Sequence, residues 1–391
     1  MPRSYIQDLK SRVSRSRALV WGCFAIFAAI SVWLDSWLEQ YIREISIPIY
    51  HRYAVFAWSS SFHRWPTGYP ALSLIVFLAP LLLLVAYKLG FALLTFAALA
   101  IMLYVGMKRH NAAWGFRVLG YLGIGTILLF SRRYDIFPTL VAFLAIDQAI
   151  RRNWRWAWVW SILGFLLKLW PAVLWPIFLI AEYRETGSIR WRGLALGAVA
   201  EGAVVGVQEI TAPHQALTSF LYLLNRPIEF ESLAASVTSI IGSPHAFFAF
   251  GSYDISDHGL AHDTSAAITA LGVCAVLSVL WALWKGRLDL VDAAILCLGI
   301  VLLTSKVFSP QYLIWLAPWL ALRRSNPFLV LAYLATAMSY LAFLTGVGIM
   351  QMMIVPDTRN VFLLLGLLIF AKEALSRQTS AQPTSDLEVL A

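Results

Sequence analysis

The chain has 391 residues, of which 60% are hydrophobic and 13% charged, and its mean hydropathy is +0.72. Soluble domains are about half apolar and about one quarter charged, so this composition excludes a soluble enzyme. A membrane-spanning helix needs ~20 mainly apolar residues, and the length allows about a dozen of them with short loops. We therefore expect an all-α, polytopic integral membrane protein.

The net charge of +9 does not indicate a nucleic-acid partner, because the 30 Lys and Arg residues occur in small groups between apolar runs. Cys23, Cys274 and Cys297 all lie inside such runs, which argues against a disulfide framework or a metal cluster. No histidine or carboxylate spacing typical of metal ligands is present, so neither a metal nor a cofactor is expected. The first apolar run ends at Asp35 without a small-residue cleavage site, which favours a retained helix over a signal peptide.

Apolar runs recur along the chain, and several are short or interrupted by proline. They cover residues 18–35, 69–87, 89–107, 117–131, 136–150, 157–182, 193–210, 265–284, 289–305, 311–322, 327–346 and 361–371. Residues 1–376 are therefore predicted to form one membrane-embedded domain with about eleven spans. The polar stretch 377–391 is predicted to be a disordered cytoplasmic tail.

The distribution of basic residues predicts the topology, since Lys and Arg accumulate in cytoplasmic loops. If residues 1–17 are cytoplasmic, the same side receives the basic groups within 108–117, 151–155, 184–192, 285–287, 323–324 and 372–377. This arrangement requires that either 69–87 or 89–107 does not cross, and Pro66, Pro70 and Pro80 favour the first. We therefore expect an external loop with juxtamembrane helices at 36–88, and a second long external loop at 211–264.

Five predicted external sites combine charge, proline and aromatic residues. In chain order they are Gly68-Tyr69-Pro70, Arg133-Tyr134-Asp135 with Pro138, Lys168-Leu169-Trp170-Pro171, Arg226-Pro227-Ile228-Glu229-Phe230-Glu231-Ser232, and Ser305-Lys306-Val307-Phe308-Ser309-Pro310-Gln311-Tyr312. As an ordered set within residues 30–320, they resemble the polyprenyl-phosphate-sugar-dependent glycosyltransferases of the GT-C superfamily. The resemblance is to glycosyltransferase family 87 in particular.

The resemblance implies a role for an acidic residue at the external end of the first helix, which is the catalytic base in that family. Asp35 occupies this position. Three of the family's patterns match in the first half of the chain: Tyr-Pro-Pro at Tyr69 to Ala71, Arg-x-Asp at Arg133 to Asp135, and Lys-x-x-Pro at Lys168 to Pro171. Two more match later: Arg-Pro with Glu-Ser at Arg226 to Ser232, and Phe-Ser-Pro-Gln-Tyr at Phe308 to Tyr312. The acidic residue that often precedes Tyr-Pro-Pro is Gly68 here, so its role does not carry over.

The resemblance further implies the reaction and its location. The expected reaction transfers mannose or a related sugar from a polyprenyl-phosphate donor to a glycolipid or glycan acceptor of the cell envelope. It inverts the anomeric carbon. The expected site lies on the extracytoplasmic face of the plasma membrane, with the N-terminus in the cytoplasm.

The chemistry of such a transfer also points to particular residues. A sugar on a lipid phosphate has an activated leaving group, so the protein must supply a base for the acceptor hydroxyl and cations for the phosphate. Asp35 is the predicted base, and Lys306, Arg226 and Lys168 are the predicted phosphate-binding cations. Lys306 is preferred because a helix break at Pro310 follows it. Structural alternatives are a carboxylate that only ends a helix and lysines that only extend to the interface.

Eight further residues are predicted to bind or orient the substrates. The tyrosines are candidates for stacking on sugars, the charged groups for holding the cations or sugar hydroxyls, and the histidines for assisting proton transfer. The set comprises Tyr69, Arg133, Asp135, Glu231, Gln311, Tyr312, His51 and His63.

Two other classes of protein have the same general composition. A flippase or transporter of a lipid-linked sugar also needs many spans and a charged cavity, but its functional charges should lie at mid-membrane or on both faces. A scaffold subunit of an envelope complex would not need Asp35. The clustering of the candidate residues on the external side favours the enzyme.

Overall fold

The computed structural model describes residues 3–40, 46–59, 65–215, 217–256, 259–323, 326–344 and 354–381. Within these ranges the protein is mostly helical, as the composition predicted. The prediction of an all-α fold omitted one feature, a small three-stranded sheet between residues 228 and 256. The sheet forms in a predicted external loop.

The described helices follow one another along the chain and are joined mostly by short turns. In chain order they are α1 (Arg3–Leu38), α2 (Ser46–Trp58), α3 (Ser73–Leu78), α4 (Tyr87–Arg109), α5 (Ala112–Gly125), α6 (Ile136–Ile150), α7 (Trp154–Leu167), α8 (Leu174–Thr186), α9 (Arg192–Thr211), α10 (Thr218–Asn225), α11 (Leu233–Ile241), α12 (Leu260–Trp284), α13 (Leu290–Thr304), α14 (Leu313–Leu320), α15 (Pro327–Leu344) and α16 (Ile354–Ala381). Short 3-10 turns cover Ala79–Leu83, Phe130–Arg132, Trp170–Val173 and Pro310–Tyr312.

Five of the described helices are long and apolar enough to cross a bilayer. They contain Val13–Leu38, Tyr87–Arg109, Arg192–Thr211, Leu260–Trp284 and Ile354–Arg377. Shorter apolar helices lie at Ser73–Leu83, Ile136–Ile150, Leu290–Thr304 and Pro327–Ser339. These features indicate a membrane protein, and the total of about eleven spans stays a prediction.

The structure locates one predicted helix break and moves one predicted boundary. The apolar run 157–182 is not continuous, because the helix stops at Leu167, Lys168 is extended, and a 3-10 turn at Trp170–Val173 precedes α8. Pro171 lies in that turn and has no N–H to continue the helical hydrogen bonding. The predicted disordered tail begins at 377, but α16 continues to Ala381. Residues 382–391 lie outside the described ranges.

Residues 69–87 contain only short helical pieces. The helix and 3-10 turn at Ser73–Leu83 end at Leu84, which has a left-handed backbone conformation with φ of 53°. An apolar stretch of this length rises about 16 Å, whereas the hydrocarbon core is about 30 Å thick. Its length therefore fits the prediction that 69–87 does not cross.

Cysteine labelling tests this topology. In a background with Cys23 and Cys274 replaced by alanine, we expect Ser36→Cys and Leu84→Cys to react with an impermeant thiol reagent from the same side of the membrane. Leu84 is 94% exposed and follows the short helices. Lys108→Cys, at the opposite end of α4, should react only from the other side. If 69–87 crosses instead, Leu84→Cys will react from the side opposite to Ser36→Cys, and Lys108→Cys will react from the side of Ser36→Cys.

The core lies between α4, α5, α6, α13, α14 and α16, where large aromatic side chains are fully buried. Trp114 stacks on Phe143 with ring centroids 5.0 Å apart, and its Nε1 donates to the backbone oxygen of Pro318 at 2.9 Å. A Cβ on Gly106 would overlap the Trp114 ring. The close approach of α4 and α5 thus requires glycine at this position.

The basic residues of several helix ends lie together at one end of the bundle. Arg109 lies 3.9 Å from the buried carboxylate of Asp147, and Arg117 donates to the backbone oxygen of Arg323 at 3.1 Å. Arg323 in turn donates to Asp292 at 2.6 Å. The basic groups of residues 108–117 and 323–324, which the predicted topology puts on one side, thus share one end of the helices.

The three strands form an antiparallel sheet in the order β1-β3-β2, built from β1 (Ile228–Glu229), β2 (His245–Ala249) and β3 (Ser252–Ser256). Phe250 and Gly251 connect β2 to β3, and both have positive φ, at 51° and 80°. A two-residue connection of this conformation matches the twist of a hairpin. The register places Glu229 opposite Asp254.

Candidate functional site

Asp35 lies in the last turns of α1 and is buried, with 3% of its surface exposed. Its carboxylate forms an ion pair with Arg132, whose guanidinium also donates to the Asp35 backbone oxygen. Lys88 Nζ lies 3.0 Å from Asp35 Oδ2 and 2.5 Å from the carboxylate of Glu39. The predicted base is therefore held between two cations at the end of the first helix.

Lys168 and Asp135 form a second ion pair, in which the carboxylate is buried and the lysine side chain is 17% exposed. Lys168 Nζ lies 2.6 Å from Asp135 Oδ1, and Trp315 Nε1 donates to the same oxygen at 2.7 Å. The ammonium group also lies 4.8 Å from the ring centres of Tyr312 and Trp315. Burial lowers the pKa of Lys168, and the neighbouring carboxylate of Asp135 opposes this shift.

Tyr69 belongs to an aromatic cluster that joins α2, α3 and the segment before α6. Its ring lies 5.6 Å from Tyr50, 5.4 Å from Phe77 and 5.3 Å from Tyr134. Arg133 donates to Ser46 at the start of α2 and acts electrostatically on Tyr69. The cluster fixes the predicted juxtamembrane segment against the charged residues.

Arg226 connects the end of α10 to the sheet. It lies 3.3 Å from Glu229 Oε1 and donates to Ser252 Oγ at 2.9 Å. The register puts Glu229 and Asp254 side by side, and both are buried. Two adjacent carboxylates repel each other, so the guanidinium of Arg226 stabilises this part of the sheet. Burial raises the pKa of Asp254 to about 6.

Lys306, preferred in the sequence analysis as the phosphate-binding residue, lies at the rim of this group. Its Nζ donates to the backbone oxygen of Leu224 at 2.9 Å, and its own carbonyl accepts from the Glu229 N–H at 2.8 Å. It lies close enough to Arg226 to be repelled by it, and the pKa of Lys306 is lowered by its partial burial and by that repulsion. The lysine thus already has a structural role.

Glu231 is buried directly after β1. Its backbone oxygen accepts from Arg359 and, at 3.2 Å, from the side chain of Asn360, both in α16. Its carboxyl Oε1 is buried and has no hydrogen-bond partner among the described residues. Burial raises the pKa of Glu231 to about 8, the repulsion from Glu229 adds to the shift, and Arg359 opposes it.

The raised pKa of Glu231 predicts how the stability of the protein depends on pH. Between the ordinary value of 4.5 and about 8, the folded state binds this proton more tightly than the unfolded chain does. The free energy of unfolding should therefore fall as the pH rises through this window, by at most ~1.4 kcal/mol per pH unit. In thermal unfolding between pH 5 and 8.5, Glu231→Gln should flatten this decline.

The matched control is Glu209→Gln, which removes an exposed carboxylate. It should leave the slope of stability against pH as in the unmodified protein. An unchanged slope in Glu231→Gln would show that this carboxyl group does not hold the proton.

The structure brings most of the predicted residues into one polar group. Arg133 and Arg226 both act electrostatically on Lys168, and Arg133 also acts on Glu231. Tyr312 contacts Lys168, and Gln311 lies in the same 3-10 turn. Asp35 is connected to this group through Arg132, which precedes Arg133.

The two predicted histidines do not join this group in the structure as described. His51 is exposed on α2, and its ring packs against Tyr87 with centroids 4.5 Å apart. His63 lies outside the described residues. The described ranges also hold no group of three or more His, Cys, Asp or Glu residues placed to bind a metal ion.

An apolar groove of about 310 Å³ lies between α3 and α9, and its wall residue Leu78 also packs against the aromatic cluster. Its walls are formed by Trp65, Ala71, Leu72, Leu74, Ile75, Leu78, Ala203, Val204 and Val207. Trp65 fixes the two walls together, because its Nε1 donates to Thr211 Oγ1 at 2.9 Å. Ala71 lines the groove two residues after Tyr69, so the groove lies next to the aromatic cluster.

Sequence reasoning missed three residues that the structure places at these sites. Lys88 lies between the apolar runs 69–87 and 89–107 and was not considered. A charged residue at the junction of two apolar runs is a signal that could have pointed to it. Arg359 and Asn360 precede the last apolar run on the predicted external side, and both are completely buried. For Arg359, the usable signal was the one that singled out Asp35, a charged residue just outside a predicted span.

The comparisons with known proteins add no assignment. No protein-family model, curated protein or solved structure matches the chain.

Proposed function

We propose that this protein is an integral membrane glycosyltransferase of GT-C type. It transfers a sugar, mannose or a close relative, from a polyprenyl-phosphate donor to a glycolipid or glycan acceptor on the extracytoplasmic face of the plasma membrane. The observation that carries the proposal is the convergence of Arg133, Lys168 and Arg226, together with the buried Asp35 that pairs with Arg132, the neighbour of Arg133 in sequence.

The cations suit a lipid-phosphate leaving group. Lys168 is repelled by both Arg133 and Arg226, so three positive charges lie close together. Asp135 pairs with Lys168 and Glu229 with Arg226, and Asp254 lies beside Glu229, so a bound phosphate competes with carboxylates for these cations. A phosphate supplies negative oxygens to which Arg and Lys donate charge-assisted hydrogen bonds.

Asp35 would act as the base toward the acceptor. The acceptor hydroxyl transfers its proton to the Asp35 carboxylate while its oxygen forms a bond to the anomeric carbon. The bond between that carbon and the phosphate oxygen breaks, and the electron pair leaves with the phosphate. Attack opposite to the leaving group inverts the anomeric centre. Each carboxylate oxygen has two lone pairs, so the ion pairs with Arg132 and Lys88 still leave a site for the proton.

The apolar groove suits the lipid part of a substrate. Its walls carry apolar side chains only, apart from the indole of Trp65. Burial of a prenyl chain there would bring its phosphate toward Tyr69 and the cations. Such a groove binds through the hydrophobic effect and gives little selectivity for the sugar.

Incubation of the purified protein with polyprenyl-phosphate-mannose and extracted envelope lipids tests the proposal. Mass spectrometry should detect an acceptor lipid heavier by one hexose, together with free polyprenyl phosphate. Movement of the intact donor across a proteoliposome membrane without any product would instead favour the flippase.

Lys306→Gln removes a cation at the rim of the site. The side chain is partly exposed and bonds only a backbone oxygen in the described structure, so the free energy of unfolding should change little. If Lys306 also contacts the donor phosphate, a loss of ~1.5–3 kcal/mol predicts about a ten- to hundredfold weaker use of the donor. Steady-state kinetics at varied donor concentration measures this effect. Lys306→Arg is the control that keeps the charge, and equal kinetics for Lys306→Gln and the unmodified protein would remove Lys306 from the phosphate site.

A further inference from the structure

Residues 212–259 connect the end of α9 to the start of α12. Both helices are long and apolar enough to cross the membrane. Their connection, which contains α10, α11 and the sheet, therefore emerges from and returns to the same membrane boundary.

Two stretches of this connection carry no Lys, Arg, Asp or Glu. They cover residues 210–225 and 232–253. An ordinary soluble segment has about one charged residue in four. A polypeptide that faced water on all sides would not need such a complete exclusion of charge.

The first of these stretches exposes an apolar face. Leu217, Leu221 and Leu224 are 56%, 50% and 72% exposed. Their spacing of four and three residues puts them on one face of α10 and its preceding turn. The ring of Tyr222 points elsewhere, since it packs on Phe250 with centroids 5.0 Å apart. Within the described structure, α10 thus has an exposed apolar face and a packed face.

The exposed apolar face of α10 follows directly after the exposed apolar side of α9, which is a predicted span. Val199 and Ile210 of α9 are also largely exposed, and Ile210 lies in the last turn of α9. In a membrane these side chains of α9 contact lipid. The apolar side of α10 therefore extends the lipid-facing surface of α9 past the end of the span.

The β2–β3 hairpin carries a second exposed apolar element. Phe248 is 60% exposed on the edge strand β2. The tip of the hairpin is attached to α10, because Tyr222 donates its hydroxyl hydrogen to the Phe250 backbone oxygen at 2.9 Å. The helix and the hairpin thus form one surface.

Positive charge borders this surface at one place. Lys306, which is partly exposed, donates to the backbone oxygen of Leu224, the last leucine of the apolar face. Apolar residues flanked by cations are typical of helices that lie in the membrane interface, where the cations meet lipid phosphates.

We propose that α10 and the tip of the β2–β3 hairpin form a wedge that inserts into the headgroup and upper acyl region of one leaflet. The partner of this surface is the lipid bilayer itself. The wedge needs only the membrane character of the protein, and it stands whether or not the protein transfers a sugar.

Fluorescence quenching in lipid nanodiscs tests the wedge on the full chain. Cys23 and Cys274 are first replaced by alanine. Single cysteines at Leu221 or Phe248 are then labelled with an environment-sensitive fluorophore. Ser256→Cys, exposed at the far end of β3 from the hairpin tip, is the matched control. Each label is quenched in turn by doxyl-labelled phospholipid and by aqueous iodide.

The wedge predicts strong lipid quenching and weak iodide quenching at Leu221 and Phe248, with the reverse at Ser256. Strong iodide quenching at Leu221 and Phe248 would place the surface in water and overturn the proposal. Protection from both quenchers, with disulfide-linked dimers formed through Leu221→Cys, would assign the surface to a second copy of the chain and overturn it as well. Leu224→Cys replaces Leu221→Cys if the latter does not fold, since it lies on the same face.

Discussion

Replacement of Asp35 by asparagine is expected to lower the turnover of the sugar transfer by ~10²–10⁴ while donor affinity is retained. Asparagine keeps the size of the side chain but cannot accept the acceptor's proton. Turnover and donor affinity are measured on the same purified sample, with turnover expressed per folded molecule. Normal turnover by the folded Asn variant would end the assignment of Asp35 as the base.

The ion pairs of Asp35 require two controls in this experiment. Asparagine also leaves Arg132 and Lys88 without their anion, so thermal unfolding of the variant must be recorded. Glu39→Gln removes an exposed carboxylate that shares Lys88 and should keep normal turnover. Asp35→Glu retains the charge but displaces the carboxylate by one methylene, and it should lose turnover with little loss of stability. Normal turnover in Asp35→Glu together with an inactive, unstable Asn variant would point to a structural role.

Removal of one partner from the Lys168–Asp135 pair is expected to give the largest loss of stability. Lys168→Met leaves the buried carboxylate of Asp135 without its cation, and such a loss costs about 3–5 kcal/mol. The three aromatic rings around the ammonium, those of Tyr134, Tyr312 and Trp315, do not replace the charge. Chemical unfolding of the purified protein in detergent measures the effect.

A double variant measures the interaction between Lys168 and Asp135, and a variant of an exposed ion pair serves as the control. Lys168→Met with Asp135→Asn removes both charges, and it should be more stable than the sum of the single losses predicts. Arg152→Gln breaks the contact with Glu185 at 3.9 Å, where the Arg152 side chain is 75% exposed. This control should cost about 0–1 kcal/mol. Equal stability of Lys168→Met and the unmodified protein would show that the buried pair contributes nothing.

The sequence by itself was sufficient to indicate a helical membrane protein. The free energy of transfer from water into lipid is a property of each side chain. Composition and hydropathy therefore predict apolar helices without knowledge of the fold. Basic groups distributed between the apolar runs also predicted the common end at which Arg109, Arg117 and Arg323 lie. The motifs around Arg133, Lys168 and Arg226 were expected on one side of the membrane, and the structure places these three side chains close enough to act on one another.

Only the tertiary structure decided which charges pair. Arg132 binds Asp35 across 97 residues of sequence, and Arg359 binds the backbone of Glu231 across 128. No local pattern encodes such contacts, since they depend on how α1 and α16 pack against the rest of the bundle. Lys306 is a further example. The sequence favoured it as a phosphate ligand, but in the structure its ammonium group donates to the Leu224 backbone oxygen of α10.

The sheet and the shape of the external loop were also decided by tertiary structure. Strands β1 and β3 pair across the intervening α11 and β2, and the buried acids they carry are stabilised by Arg226. Short strands in a charge-poor loop have weak local preference, and long-range pairing selects them. Hydropathy thus indicated which helices are apolar enough to cross a membrane, whereas packing between distant segments determined how Asp35, Lys168 and Glu231 are held.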